Sequence, residues 1–325
     1  MKSQILRILI ENRGSFISGE EMSRICGISR AAVWKHIDHL KKEGYGIEAV
    51  TKKGYKLLEN REKMETVFLE LPKEQVIGSR YIYLAEVDST NAWAKTIAKE
   101  EPDGTVVIAN YQTAGKGRFG KTWDSTRAKG IWLSLILKPK ASMAEAVLLT
   151  QMAGAAVCHA LISLGFEARI KWPNDIVIGD KKICGILAEL SGEPEQLNYV
   201  VVGIGINVNQ DLEDFPPDLR DRAASLKMMT SDRVDRNRIL AQVLSWLDHY
   251  YSRFNNKSTA EIMGFCRENS ATLDKSVKVI YNDKIILGKA INLTDKGALI
   301  IEDTAGQVME IISGEVSVRG LFGYV

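Results

Sequence analysis

The stretch Gly115-Lys116-Gly117-Arg118-Phe119-Gly120-Lys121-Thr122 sets three glycines among three cations, with no acidic residue between them. Glycines let backbone amides close on a ligand, and Lys116, Arg118 and Lys121 bring positive charge to the same point. An anion, a phosphate above all, is expected there. As a pattern the run satisfies G-x-x-x-x-G-K-[ST], the phosphate loop of nucleotide hydrolases, which must follow a strand and open into a helix. Thr105–Gln112 reads as a buried strand, but Trp123–Gly130 has no helical period and Ile131–Leu137 is a second strand. The loop therefore joins two strands, as a ligand loop or as a solvated hairpin tip.

Other residues able to do chemistry sit at element ends. Asp88, Ser89 and Thr90 precede the helix Ala92–Ala98, and any one of them would cap it. Ser89, Thr90 and Asn91 together also form a site for a small polar ligand. Pro173 breaks Ala168–Ile178, so Lys171, Asn174 and Asp175 gather around a turn, for structural or for ligand-binding reasons. Gly179-Asp180 turns the chain back through Lys181–Leu190, where Lys181 and Lys182 face opposite sides and only one can meet a site. In the strand Tyr199–Val208, Gly203 and Gly205 alternate, which admits a second backbone or a flat ring, or relieves strand crowding.

The elements that must hold these groups follow from pattern. Val76–Leu84 is strand-like, and a scaffold helix runs from about Met143 to a stop at Gly165, carrying Cys158 and His159 as core or surface residues. A further helix covers Arg236–Tyr251. Residues 272–325 turn to short strands, with hairpin turns at Asn282-Asp283, Asp295–Gly297 and Asp303–Gly306, and read as a small SH3-like barrel.

The first sixty residues read differently. Gln4–Glu11 is an amphipathic helix, Ser18 caps a short helix Gly19–Ile25 before the turn Cys26-Gly27, and Ser29 caps a third, Arg30–Lys42. A hairpin follows, Tyr45–Val50 and Tyr55–Leu58, with Lys52-Lys53-Gly54 at its tip. This order resembles a winged helix-turn-helix DNA-binding domain, with Ser18, Ser29, Arg30, Lys35 and His36 facing the groove and Lys52 and Lys53 reaching phosphates. A helical bundle with solvated cations, or a protein-binding domain, is the alternative. Charge agrees with DNA: this segment holds eleven Lys and Arg against seven Asp and Glu, +4, which leaves −2 for the remainder of a chain at +2.

The 325 residues are enough for two or three domains. Glu59–Lys63 is a charged linker, and the boundaries are placed at 1–62, 63–270 and 271–325. No run is long and apolar enough at the start for a leader or membrane span, so no membrane partner is expected. Cys26, Cys158, Cys184 and Cys266 are scattered without a zinc pattern, which points to a reducing, cytoplasmic setting.

Taken in order, Asp88–Asn91, Gln112–Arg118, Lys171–Asp175, Lys182–Leu187 and Gly203–Val208 resemble the motifs of the biotin–protein ligase/biotin operon repressor family, and the resemblance spans essentially the whole chain. It implies an α/β multidomain (α+β) protein: an N-terminal winged helix-turn-helix, a central mixed-sheet ligase domain like those of class II synthetases, and the C-terminal barrel. It implies a ligase that uses ATP and Mg²⁺ to make biotinyl-5′-AMP and pyrophosphate, then transfers biotin to a lysine of a biotin carboxyl carrier domain. The adenylate would also be the corepressor of a homodimer on operator DNA. The resemblance assigns Ser89, Thr90, Asn91 and Gln112 to the biotin head group, and Gly115, Lys116, Gly117 and Arg118 to a loop over the adenylate. It sets Trp123 beside the adenine, Lys182 at the carboxylate and phosphate next to Gly185, Lys171, Asn174 and Asn207 at the ATP end, and Asp175 at Mg²⁺. Arg118 and Lys182 carry catalysis. Lys116 and Lys121 stand where the family typically has arginines, so charge is kept but the bidentate fork is lost. Three other readings have their own signatures: a ligand-sensing winged-helix regulator without ligase activity, a lipoate-type ligase, and a phosphate-loop ATPase in which Lys121 matters most.

Overall fold

The apolar positions of the first helices converge on one core. Ile5 and Leu9 of α1 (Lys2–Glu11), Met22 of α2 (Gly19–Cys26), and Val33, Ile37 and Leu40 of α3 (Arg30–Lys42) are buried together in the computed structural model. Each such side chain contributes roughly 1.5–3 kcal/mol through burial. The Ser18 hydroxyl accepts from the Glu21 amide at 3.0 Å and the Ser29 hydroxyl from the Ala32 amide at 3.2 Å, so both serines cap helices as expected. The wing is the antiparallel pair β1 (Ile47–Val50) and β2 (Gly54–Leu57), extended by a bridge between Ile17 and Tyr55. Gly54, at φ 103°, is required there, because a Cβ would stand 2.1 Å from the Ile17 carbonyl oxygen.

The structure describes all residues except 13, 43–44, 59–63, 65–73, 194–195, 282–283, 313–315 and 321–325. The linker Glu59–Lys63, the boundary at 62/63 and the turn Asn282-Asp283 lie outside the described residues. The chain divides into two compact units, Met1–Glu70 and Leu71–Val325.

The second unit is built on a seven-stranded sheet, ordered β3-β4-β5-β9-β8-β7-β6. Its strands are β3 (Tyr81–Leu84), β4 (Thr105–Ala109), β5 (Gly130–Leu137), β6 (Ala168–Lys171), β7 (Asp175–Ile178), β8 (Lys181–Glu193) and β9 (Gln196–Asn207). Among the described strands of this sheet β3 and β4 pair in parallel and the other neighbours antiparallel. Strand alternation splits the residues between two faces. One face packs on α6 (Leu148–Ser163), where Gly154 lies against Ile186 and Ile170. The other carries α4 (Thr90–Ile97) over Val107, Ile136 and Val201, and farther along the same strands this face holds buried Ser134 and the glycines Gly203 and Gly205.

Several expected elements are trimmed. The strand expected from Val76 begins only at Tyr81, because the Val76 and Ile77 amides donate to Asp248 Oδ1 at 2.8 and 2.9 Å instead of to a ladder. The strand expected to reach Gln112 ends at Ala109. The scaffold helix is two, α5 (Met143–Ala146) and α6, meeting at Val147. Met143–Ser163 is long and apolar enough to cross a membrane, but 78% of its most apolar window is buried in the protein, so it is a core helix. After α7 (Leu226–Thr230) comes α8, which spans Arg236–Asn255, longer than expected, and α9 (Ala260–Glu268) follows it.

The C-terminal strands β10 (Ser276–Tyr281), β11 (Lys284–Leu293), β12 (Leu299–Asp303), β13 (Val308–Ile311) and β14 (Val316–Gly320) form an antiparallel sheet in the order β13-β12-β11-β10-β14. It is tied to the central domain through buried Trp172, whose indole N–H donates to the Gly297 carbonyl at 2.9 Å and whose amide donates to Thr272 Oγ1 at 2.9 Å. That anchor fixes the turn leading to Asn174 and Asp175.

Candidate active site

A cavity of about 700 Å³ opens on the α4 face of the central sheet. Its floor depends on missing side chains. A Cβ on Gly203 would stand 2.2 Å from Asn91 Oδ1, and a Cβ on Gly205 or Gly185 would stand 2.6 or 2.7 Å from the Trp123 ring. The flat ring admitted by the alternating glycines is therefore the chain's own Trp123. Trp132 on β5 meets it edge-on at 6.4 Å between centroids. Both indole N–H groups are buried with no acceptor among the described residues, as suits a pocket awaiting a polar ligand.

Trp123 is brought there by the glycine loop, which is a small hairpin. The Trp123 amide donates to the Gly115 carbonyl at 2.9 Å, Lys116 bridges Thr122, and the Gly117 amide donates to the Lys121 carbonyl at 2.7 Å. Phe119 (φ 57°) and Gly120 (φ 70°) make the apex in left-handed backbone. Strand β5 follows in antiparallel pairing with β4, and no helix opens from the loop, so the phosphate-loop hydrolase geometry is absent. Gly115 is not on the cavity wall: a Cβ would lie 2.4 Å from the Trp123 carbonyl, so its part is to close the base of the hairpin.

One end of the cavity is polar and neutral. Gln112 Oε1 accepts from the Thr90 amide at 2.8 Å and from the Thr90 hydroxyl at 3.0 Å, while Gln112 Nε2 donates to Ser125 Oγ at 2.8 Å. Ser89 caps α4, accepting from the Ala92 amide at 3.4 Å. Ser89, Thr90, Asn91 and Gln112 are all buried, in keeping with a site that recognises a small, uncharged polar head.

The other end is charged. Lys182 Nζ lies 2.6 Å from Asp175 Oδ1 and 5.3 Å from the Trp123 ring centroid. Arg118 donates to Asn174 Oδ1 at 3.0 Å, and Asn174 Nδ2 donates to the Ile186 carbonyl at 2.9 Å. Burial pulls the Arg118 pKa below its ordinary value, opposed by the Asp175 charge, and the guanidinium stays cationic. Lys181 turns away and donates to the Asp221 carbonyl, so Lys182 is the lysine that meets the site. Lys171 and Asn207 complete this end, Asn207 Oδ1 accepting from Gln210 at 3.1 Å. Lys116, Gly117 and Lys121 reach the wall from the hairpin.

Some of the site was not legible from sequence motifs. Trp132 and Ser134 sit in an apolar strand, where alternation puts them on one face without saying which face that is. The segment from Phe215 to Ala223 also lines the cavity, and its backbone clasps the Lys182 strand: the Lys182 amide donates to the Arg222 carbonyl at 2.8 Å, and the Ala224 amide donates to the Lys182 carbonyl at 3.0 Å.

In the N-terminal unit, Arg30, Lys35, Lys52 and Lys53 are exposed and His36 is half-buried. Trp34, 58% exposed on α3, is an apolar group that charge-based reading passed over.

Comparison with known proteins agrees with this geometry. Residues 81–207 match the model of the biotin/lipoate A/B protein ligase family, residues 2–56 an HTH domain, and residues 272–319 the biotin protein ligase C-terminal domain. The chain is 34% identical over 319 residues to the bifunctional ligase/repressor BirA of Bacillus subtilis, covering 97% of this chain and 98% of that one. It is 30% identical over 307 residues to BirA of Escherichia coli, 94% of each chain. The structure of the biotin protein ligase from Aquifex aeolicus in complex with biotin and ATP superposes with a TM-score of 0.65 at 34% identity, covering 74% of this chain and 99% of that one.

Proposed function

This chain belongs to the biotin protein ligase family, in its bifunctional ligase/repressor form, and from that premise we propose how its residues act. The protein is an ATP-dependent biotin ligase that also binds DNA as a repressor. A biotin carboxylate oxygen attacks the α-phosphorus of ATP, the bond to the β-phosphate oxygen breaks, and pyrophosphate leaves. A lysine amine of a biotin carboxyl carrier domain then attacks the acyl carbon, and AMP leaves as the amine loses its proton.

The observation that carries the assignment is the polarity of one cavity, with buried neutral hydrogen-bonding groups at one end and Lys182 and Arg118 at the other. Ser89, Thr90, Asn91 and Gln112 hold the uncharged head of biotin. Its carboxylate points to Lys182, which stabilises charge developing on the α-phosphate together with Arg118. Trp123, lying on Gly185 and Gly205, flanks the adenine, while Lys116 and Gly117 close over the adenylate. Lys171, Asn174 and Asn207 hold the ATP end. Magnesium, when bound, neutralises phosphate charge. One carboxylate beside substrate phosphates is enough to hold it, and Asp175 on the cavity wall fits that donor set.

On the DNA side, α3 presents Arg30, Lys35 and His36 to the major groove, its start fixed by the Ser29 cap as Ser18 fixes α2, and Lys52 and Lys53 meet phosphates. Adenylate-bound chains pair through the central sheet, which sets two helix-turn-helix units on a palindromic operator. Four free, buried cysteines suit a reducing cytoplasm.

Biotin-dependent exchange of pyrophosphate into ATP tests this, with lipoate as control. Exchange is expected with biotin alone. Exchange with lipoate and none with biotin would overturn the reading, and no exchange with either would favour a pure regulator.

A further inference from the structure

Glu189 lies off the cavity wall, yet its hydrogen bonds lead into it. From the surface inward, Lys95 Nζ donates to Glu189 Oε1 at 2.6 Å and Asn91 Nδ2 donates to Glu189 Oε2 at 2.8 Å. Ser134 Oγ stands 2.6 Å from Asn91 Oδ1 and 2.8 Å from Thr90 Oγ1. Thr90 Oγ1 in turn lies 3.0 Å from Gln112 Oε1. Ser134, Thr90 and Asn91 are no more than 4% exposed, so solvent supplies few alternative partners.

Counting protons fixes the directions. A carboxylate only accepts, so Asn91 turns Nδ2 to Glu189 and Oδ1 to Ser134. An amide oxygen only accepts, so the single Ser134 proton goes to Asn91. The single Thr90 proton then has two acceptors inside the protein, Ser134 Oγ and Gln112 Oε1, and is spent on one of them. Thr90 Oγ1 therefore meets the cavity as an acceptor.

We propose that Glu189, held by Lys95, is a positioning residue that acts through Asn91 and Ser134 to keep Thr90 Oγ1 an acceptor for a ring N–H of the cyclic urea of biotin. The inference rests on the biotin reading of the site and names the device that gives it donor–acceptor specificity. With a neutral group at 189 only the long bond from Asn91 Nδ2 to the Leu187 carbonyl, 3.4 Å, still favours this orientation, and the Asn91 amide can reverse. Nδ2 then donates to Ser134, Ser134 donates to Thr90, and Thr90 can turn its own proton on the ligand, where it opposes an N–H. The charge at the end of the chain is secure: burial, the largest single effect, would raise the Glu189 pKa, but the hydrogen bonds from Lys95 and Asn91 together with the charges of Lys95 and Lys116 outweigh it and hold the carboxyl below its ordinary value.

Biotin titration of the full chain by calorimetry tests this in a cycle of Glu189→Gln, Thr90→Val and the double variant. Glu189→Gln is expected to weaken biotin binding about 10-fold, the scale of one ligand hydrogen bond, with KM for ATP and kcat at saturating biotin unchanged. Because Glu189 acts through Thr90, the double variant should bind no more weakly than Thr90→Val alone. Ser134→Ala cuts the same chain and should likewise make Glu189→Gln silent, which keeps the test open if one variant folds poorly. Additive losses, or full affinity in Glu189→Gln, would overturn the role of Glu189. Absence of biotin binding by the unaltered chain would instead overturn the functional reading on which it rests.

Discussion

In the proposed reaction Lys182 and Arg118 meet charge that grows on the α-phosphate, and each is held by a neighbour: Asp175 at 2.6 Å from Lys182, Asn174 at 3.0 Å from Arg118. Removing one such preorganised group costs about 10²–10³ in kcat. Lys182→Ala and Arg118→Ala are therefore expected to lower biotin-dependent pyrophosphate exchange by that factor with the fold intact, while Lys121→Ala, at the exposed side of the hairpin, changes it by less than about 10-fold. Full exchange in both of the first two variants would sink the assignment. Burial pushes the Cys158 and Cys266 thiols up to about 12 and Cys184 higher still, so at pH 8 these three stay as unreactive thiols. A disulfide dye should label at most Cys26 in the folded protein and all four cysteines in guanidinium; rapid native labelling of more than one would contradict that burial. Lys182 and Arg118 were legible because cations beside glycines stand out in sequence. Ser134 was not, since a lone hydroxyl in Ile131–Leu137 declares its face only once Gly203 is known to pair with it.

The elements that shape the site depend as much on absent atoms as on present ones. Gly205→Ala would set a methyl 2.6 Å from the Trp123 ring, which must then lift from the sheet. Weaker nucleotide binding and altered Trp123 fluorescence are expected, with the melting temperature nearly kept because the displaced ring lies at an open cavity. An unchanged ATP affinity would mean the ring does not flank the adenine. A second element carries a pH signature. Ser142 and Glu145 form a capping box at the start of α5, and Lys257 pairs with Glu145, chiefly through its hydrogen bond, pulling the carboxyl down from 4.5 to about 2. A lowered carboxyl stabilises the fold above its unfolded pKa, and that gain fades as pH falls from 4.5 toward about 2. Because the pair is exposed, Glu145→Gln should cost only about 0.5–1 kcal/mol in urea unfolding at pH 7, and progressively less below pH ~4. A cost that does not shrink with acid would remove the pair as its cause. Element types were readable from period and caps, and the ends were not. Strand β3 starts late because Asp248, 171 residues from Ile77, captures its upstream amides, and no local pattern carries that contact.

At the scale of the whole molecule, one chain joins a basic helix-turn-helix unit to a ligase unit, and the charge division of +4 against −2 was already visible in sequence. The wing and α3 cations lie in Met1–Glu70 and the cavity residues in Leu71–Val325, so catalysis and DNA contact should separate cleanly by mutation. Lys52 and Lys53 at the wing tip are exposed, and each phosphate they neutralise releases condensed counterions, worth about 0.9 in the slope of log affinity against log salt. Replacing both by alanine should reduce that slope by up to about 2 and weaken binding to operator and random duplex alike, since phosphate contacts carry no sequence information. Arg30→Ala on α3 should instead cost about 1–3 kcal/mol on the operator and much less on random DNA, because base contacts discriminate. Pyrophosphate exchange should be unaltered in all of these variants. An unchanged salt slope in the wing variant would take the wing off the DNA, and a fall in exchange would show that the two activities share residues after all.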